Sequence, residues 1–130
     1  PLERLRTGTE ALRHEDDVHT NHIHADDLAG ASCAALRRGR PNRCYNTSDD
    51  TRLKMGDYFD LVADRFGLPR PRRIPRSEAE QRLSPVRLSF MSESRQLDNR
   101  RLKSELRYRL RYPTVSDGLA ATYPSPLPRP

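Results

Sequence analysis

The clearest pattern along the chain is the stripe Met55, Phe59, Val62 and Phe66, at i, i+4, i+7 and i+11. Apolar positions at that spacing share one face of a helix and predict one over 54–66. Gly67, Leu68 and Pro69 follow in the order that ends a helix. Upstream, residues 18–23 alternate weakly with β-branched side chains and predict a strand. Asp26 or Ala25 then opens a helix to about Arg38, with acids in its first turn that suit the helix dipole. Gly39 and Pro41 close it, and its small face of Ala29, Ala31, Ala34 and Ala35 suits close packing on a sheet.

Residues 43–47, centred on Cys44 and Tyr45, predict a second short strand. Strand, helix, strand, helix with short connections is the pattern of an α/β layer fold. The flanks are less regular. A short helix fits Leu2 to Leu5. Residues 69–76, with three prolines and four arginines, exclude regular structure. Ser77-Glu78-Ala79-Glu80 reads as a capping box for a third helix. Residues 83–91 read as extended or irregular. Asp98 or Asn99 caps a fourth helix carrying Leu102 and Leu106 through the Arg-rich stretch to 111, and Thr114 starts another. Four prolines after Thr122 predict a disordered tail over 122–130.

Composition narrows the picture. In 130 residues, 34% are hydrophobic and 32% charged, with 11 prolines, a thin supply for an autonomous core. The chain starts at Pro1 without an initiator Met, which reads as a fragment or a processed product. No apolar stretch approaches the roughly 18–20 residues of a membrane helix. No signal-peptide pattern is seen, so a cytoplasmic location is expected. Cys33 and Cys44 form no metal or redox motif and are expected to be small buried hydrophobes. The net charge is +6, and arginine dominates the basic residues. A basic chain can bind nucleic acid, but acids interrupt the arginines throughout, and only 70–73 and 100–111 are dense, the latter diluted by Glu105.

Three segments carry candidate chemistry. His19, His22, His24, Asp26 and Asp27 lie within nine residues, and His22 and His24 share one face of a strand. Two His and a carboxylate suit zinc or iron, but the spacing matches no established ligand motif, and capping the next helix is the better use of the acids. Tyr45-Asn46-Thr47-Ser48-Asp49-Asp50 suits a strand end where open α/β sheets bind ligands, or a hydrogen-bonded turn before a helix. In Ser92-Glu93-Ser94-Arg95, Arg95 suits a bidentate clamp on a carboxylate or phosphate, or a surface position beside a cap. The Gly-rich phosphate loops, a Tyr-x-x-x-Lys pair and a G-x-S-x-G elbow are all missing from the sequence.

Six stretches, in order, resemble the C-terminal half of NAD(P)-dependent epimerases and dehydratases, the extended short-chain dehydrogenase/reductases. Residues 1–9 resemble the segment after that family's substrate-side proline loop. Asn21-His22-Ile23-His24-Ala25-Asp26-Asp27-Leu28-Ala29 resembles its N-x-I-H-V-D-D-L-A junction, and Tyr45 to Asp50 its Y-N-V-x-D-D strand. Residues 55–69 resemble the following helix, 97–106 resemble x-D-N-x-R-L-K-x-E-L, and 112–119 resemble Y-P-T-x-x-x-G-L. Ala25 and Thr47 stand where valine is common in the family.

The resemblance implies an α/β fold: the C-terminal fragment of a Rossmann-like doubly wound sheet with a small, mostly helical substrate lobe over 1–121. It implies a truncated NAD(P)-dependent epimerase/dehydratase-like oxidoreductase acting on a sugar nucleotide or related carbonyl compound. Such a fragment is inactive alone, because the family's Gly-rich loop and Tyr-x-x-x-Lys pair lie in the half that precedes it. No catalytic, cofactor-binding or metal residue carries over. His22, His24, Asn46, Ser94 and Arg95 are the expected substrate-pocket contacts. NAD or NADP belongs to the parent enzyme, and the expected partner is the missing N-terminal Rossmann half. The alternative is a non-enzymatic Arg-rich module binding RNA or an acidic partner through 70–76 and 100–111.

Overall fold

The computed structural model describes residues 1–123 as a mixed α/β chain with two compact units. The first unit comprises residues 1–20, 52–95 and Tyr123, and the second 21–51 and 96–122. No described helix is long and apolar enough to cross a membrane.

In the first unit, α1 (Leu2–Arg6) leads into β1 (Glu10–Leu12), which pairs in parallel with β4 (Arg72–Ile74) in the register Glu10 to Arg72 and Leu12 to Ile74. β2 (His19–Thr20) pairs antiparallel with β3 (Leu53–Lys54). α3 (Met55–Phe66) forms as the apolar stripe requires, burying Phe59, Val62, Ala63 and Phe66. Gly67 ends it at φ 62°, a left-handed conformation that glycine adopts without steric cost. A second apolar cluster joins Leu12, Ile74, Ala79 and Met91. Ala79 lies on α4 (Arg76–Arg82), and α5 (Pro85–Phe90) follows.

Three expectations fail in this unit. Helix α4 starts at Arg76 after Pro75 with no side-chain cap, so Ser77 lies inside it rather than capping it. Residues 72–74 form a strand although prolines flank them, because Pro71 and Pro75 lie just outside the paired residues. Residues 85–90 are helical rather than extended. The Ser84 side chain accepts from the Arg87 N–H, and Pro85 fills the first helical position, where its lost donor costs nothing.

The first unit also contains a charged hub. The Arg73 guanidinium donates to Leu12 O at 2.9 Å and to Asp60 Oδ2 at 2.7 Å, and lies 3.4 Å from Asp17 and 3.3 Å from Asp57. Asp17 also accepts from the Gly56 N–H at 2.7 Å. A Cβ on Gly56 would fall 1.6 Å from Arg73 Nη1, so glycine here leaves room for the guanidinium. Asp60 Oδ1 is buried with no protein partner.

In the second unit, α2 (Ala25–Arg38) carries Ala31 and Ala34, which pack against Leu102, Leu106 and Leu110. Its small face thus meets the 102–110 segment rather than a sheet. α6 (Arg100–Ser104) stops seven residues short of 111, and α7 (Val115–Thr122) closes the unit. The strand expected at 43–47 is absent, since those residues pair with no described strand. Only the two residues of β2 realise the strand expected at 18–23. Cys33 and Cys44 are exposed, not buried, since α2 turns Ala31 and Ala34 inward and leaves Cys33 outside. Of the expected tail, Thr122 ends α7 and Tyr123 packs edge-on against Phe66, while 124–130 lie outside the described residues.

Gly30 of α2 sits against Tyr108, and a Cβ there would fall 2.3 Å from its hydroxyl oxygen. Alanine is favoured over glycine inside a helix by about 1 kcal/mol. Overpacking a seated ring costs about 1–3 kcal/mol, so the clash wins. Gly30→Ala is therefore expected to lower the urea midpoint, and a raised midpoint would show that Tyr108 is not seated as described.

Candidate functional site

The junction between residue 21 and α2 builds the main polar site of the second unit. His24 is the N-cap of α2, and its Nδ1 accepts from the Asp26 N–H at 3.2 Å. Its Nε2 lies 3.0 Å from Thr122 Oγ1, whose own proton goes to Gly118 O at 2.9 Å. These partners select the neutral tautomer with the proton on Nε2. The ring stacks at 4.1 Å on Tyr112. Both His24 nitrogens are thus engaged in holding the helix start.

Asp27 lies one turn before Ala31 and two before Ala34, on the buried face of α2, and is fully buried. A carboxylate there requires internal donors. Its Oδ1 accepts from the Tyr108 hydroxyl at 2.9 Å and the Arg111 N–H at 2.8 Å, and its Oδ2 from the Tyr112 N–H at 2.9 Å. Burial pushes its pKa up, but these three bonds outweigh that and hold it below the usual carboxylate value.

The 46–51 loop forms the second part. The Asp49 N–H donates to His22 O at 2.7 Å, tying the loop to the 21–24 segment. The Asn99 amide donates to Ser48 O and to Asp50 Oδ1, each at 2.8 Å, and Lys103 pairs with Asp50. Burial holds the Asp50 carboxyl up, yet these two partners leave it below its ordinary value. Asp49 behaves oppositely. Burial, reinforced by the charges of Asp50 and Asp27, raises its pKa against two bonds from Thr51. Burial also lowers the pKa of His22 and favours its neutral imidazole. The Ser48 hydroxyl is buried without a protein partner. Below this loop a cleft of about 610 Å³ is lined by Asp50, Lys103, Arg107, Tyr108, Arg109 and Pro113, among others.

The five residues expected from the sequence divide between the units. His22, His24 and Asn46 belong to the second, where Asn46 donates to Asp98 O at 3.1 Å on the rim of a separate cleft of about 550 Å³. Ser94 and Arg95 belong to the first. The Ser94 hydroxyl accepts from the His19 N–H at 3.1 Å, the Arg95 N–H donates to His19 O at 3.3 Å, and the Arg95 guanidinium pairs with Glu93. Asp27, Asp49 and Asn99 lie in segments the sequence marks as polar junction, turn and helix cap, but neither they nor Tyr108 are among the five expected contacts. Asp27 had a usable signal, because a carboxylate in register with Ala31 and Ala34 must face the core.

No family model matches the chain. A stretch of 100 residues is 27% identical to the 3-diazoavenalumate denitrifying reductase of a Streptomyces species. The chain is similar to a reductase. That stretch is 77% of this chain but 33% of the reductase, so the chain spans about a third of that relative's length. A solved structure of a functionally unknown conserved protein from Silicibacter pomeroyi DSS matches with a TM-score of 0.78 and 33% identity, over 88% of this chain and 40% of that one. Among the described residues, no group of three or more His, Cys, Asp or Glu is arranged to hold a metal ion.

Proposed function

We propose that this chain is the substrate-side portion of an NAD(P)-dependent reductase of the epimerase/dehydratase type, the C-terminal part of a Rossmann-like fold. The observation that carries the reading is its 27% identity over 100 residues to a denitrifying reductase three times as long as the matched stretch. The substrate class is a sugar nucleotide or related carbonyl compound, to which the relative's name adds a diazo-bearing one. In the second unit His22 and Asn46 remain proposed substrate contacts, with His24 setting the start of α2, and in the first unit Ser94 and Arg95 are proposed as contacts in their own right.

The nicotinamide supplies the hydride when bound, and these residues do not fit it. Dinucleotide sites need closely spaced glycines and free amides at a helix start. Here the glycines lie far apart. The Gly56 N–H at the start of α3 already binds Asp17, and the Asp26 N–H at the start of α2 already binds His24. What these residues do is bind and orient. Asp27 fixes the backbone at 111–112, and Asn99 and Lys103 fix the 48–50 loop.

The nucleic-acid reading has less support. Arg70, Arg72 and Arg73 each pair with a carboxylate, and Arg76 donates to the carbonyls of Asp16 and Met91. Tyr108 faces Asp27 rather than standing free to stack on a base. Amide NMR titrations separate the readings. NADPH and a single-stranded RNA, each added at physiological salt, are expected to leave the spectrum unmoved. Saturable shifts with NADPH would overturn the substrate-side assignment, and salt-sensitive shifts with RNA would favour the basic module.

A further inference from the structure

We propose that a groove in the first unit, formed by α1, the start of α3 and α5, binds a small anion with an apolar body, such as an aryl carboxylate. The groove encloses about 430 Å³ and is lined by Arg4, Met55, Val86, Arg87, Phe90 and Met91. That volume suits a small molecule rather than a macromolecule.

The walls are apolar. Met91 is buried at the base, while Val86 and Phe90 are 67% and 72% exposed on a six-residue helix. Apolar side chains left in water along a groove gain by covering. The groove also carries two cations, Arg4 and Arg87. Arg70, Arg72, Arg73 and Arg82 of this unit each pair with a carboxylate, whereas among the described residues Arg4 and Arg87, like Arg6, Arg13, Arg52, Arg65 and Arg76, do not. Arg4 lies over the Phe59 ring at 4.9 Å, and Arg87 donates to the Thr9 hydroxyl at 3.2 Å. Burial, and after it the charge of neighbouring Arg87, lower the Arg4 pKa against a smaller opposing contribution from Tyr58.

One anionic group between the guanidiniums relieves that repulsion, since arginine forks match a carboxylate. A bare inorganic anion would leave Val86 and Phe90 in water, and a neutral apolar molecule would leave both charges uncompensated. Only an amphipathic anion satisfies both halves of the groove. The site uses none of the residues proposed above for the reductase pocket, so its failure and the failure of that reading are separable.

The test is calorimetric titration of the whole 130-residue protein with trans-cinnamate, cinnamyl alcohol and acetate. Cinnamate is expected to bind saturably, with the alcohol and acetate each weaker by about tenfold or more. Arg87→Gln and Phe90→Ser are each expected to weaken cinnamate by about tenfold or more. Phe90 is largely exposed, so its replacement leaves the fold intact even if Arg87→Gln loosens the contact with Thr9. Absence of cinnamate binding, equal binding of the alcohol, or unchanged affinity in both variants would overturn the proposal.

Discussion

Asp27→Ala is expected to unfold most of the second unit. The substitution leaves the Tyr108 hydroxyl and the Arg111 and Tyr112 N–H groups without their acceptor in a fully buried position. Each unsatisfied buried group costs about 1–3 kcal/mol, so the loss is on the order of 3–5 kcal/mol. That is comparable with the whole stability of a small domain, about 5 kcal/mol at the low end. Asp27→Asn keeps one acceptor but turns an amide toward a donor, and should cost less. The pH dependence has a definite sign. Because the folded carboxyl titrates below its ordinary value, its contribution is complete above the unfolded value near pH 4 and is lost as pH falls through the lower folded value. The difference in urea midpoint between wild type and Asp27→Asn should therefore be widest at neutral pH and shrink in acid. A constant difference would mean that ionised Asp27 is not what the Tyr108, Arg111 and Tyr112 donors require.

Arg73→Met is the counterpart in the first unit. It strips the counter-charge from Asp17, Asp57 and Asp60 at once, and the Asp17 side chain is 1% exposed. Removing one partner from a buried charged network costs about 3–5 kcal/mol, and the part exposure of Arg73 brings the expected loss to about 3. Arg73→Lys should rescue only in part, because a single ammonium cannot reproduce the fork that spans Leu12 O, Asp17 and Asp60. Adding Asp60→Asn to Arg73→Met should recover some of the loss by removing a stranded charge. Additive penalties in that double-mutant cycle would contradict the hub.

These two hubs mark the limit of what the sequence discloses. Helix α3 is readable because four large apolar residues repeat at helical spacing and Gly67 follows. Helix α2 is readable from its caps, and the structure places it over the expected residues. The parallel pair of β1 and β4 is not readable. Each strand has three residues, too few for an alternation, and their pairing joins positions about sixty residues apart. The end of α6 after Ser104 is equally hidden, because 105–111 keep helix-forming arginines and leucines. What ends the helix is tertiary: Arg107 takes φ 49°, Tyr108 turns to Asp27, and the 111–112 amides follow. The Ser84-Pro85 start of α5 was in plain view as a cap followed by a first-position proline, and its short length hid it.

For the candidate site, the residue types at the 21–27 junction and the 45–50 loop were legible, but not their division of labour. His24 looked like a pocket contact, and its two ring nitrogens instead hold the start of α2. Asp27 looked like a dipole complement, and it instead anchors a distant backbone segment. Thr122, which engages His24 Nε2, and the 111–112 amides that bind Asp27 lie more than eighty residues away in sequence, beyond the reach of local patterning.

The central claim is that this chain carries the substrate side of a reductase whose cofactor side lies elsewhere. The most direct measurement is to sequence the DNA upstream of the Pro1 codon in the same frame. An open frame about one Rossmann domain long, beginning with a Gly-rich strand–helix turn and containing Tyr-x-x-x-Lys, is the expected result. A stop codon or frameshift immediately upstream would contradict it and turn the search for function toward binding.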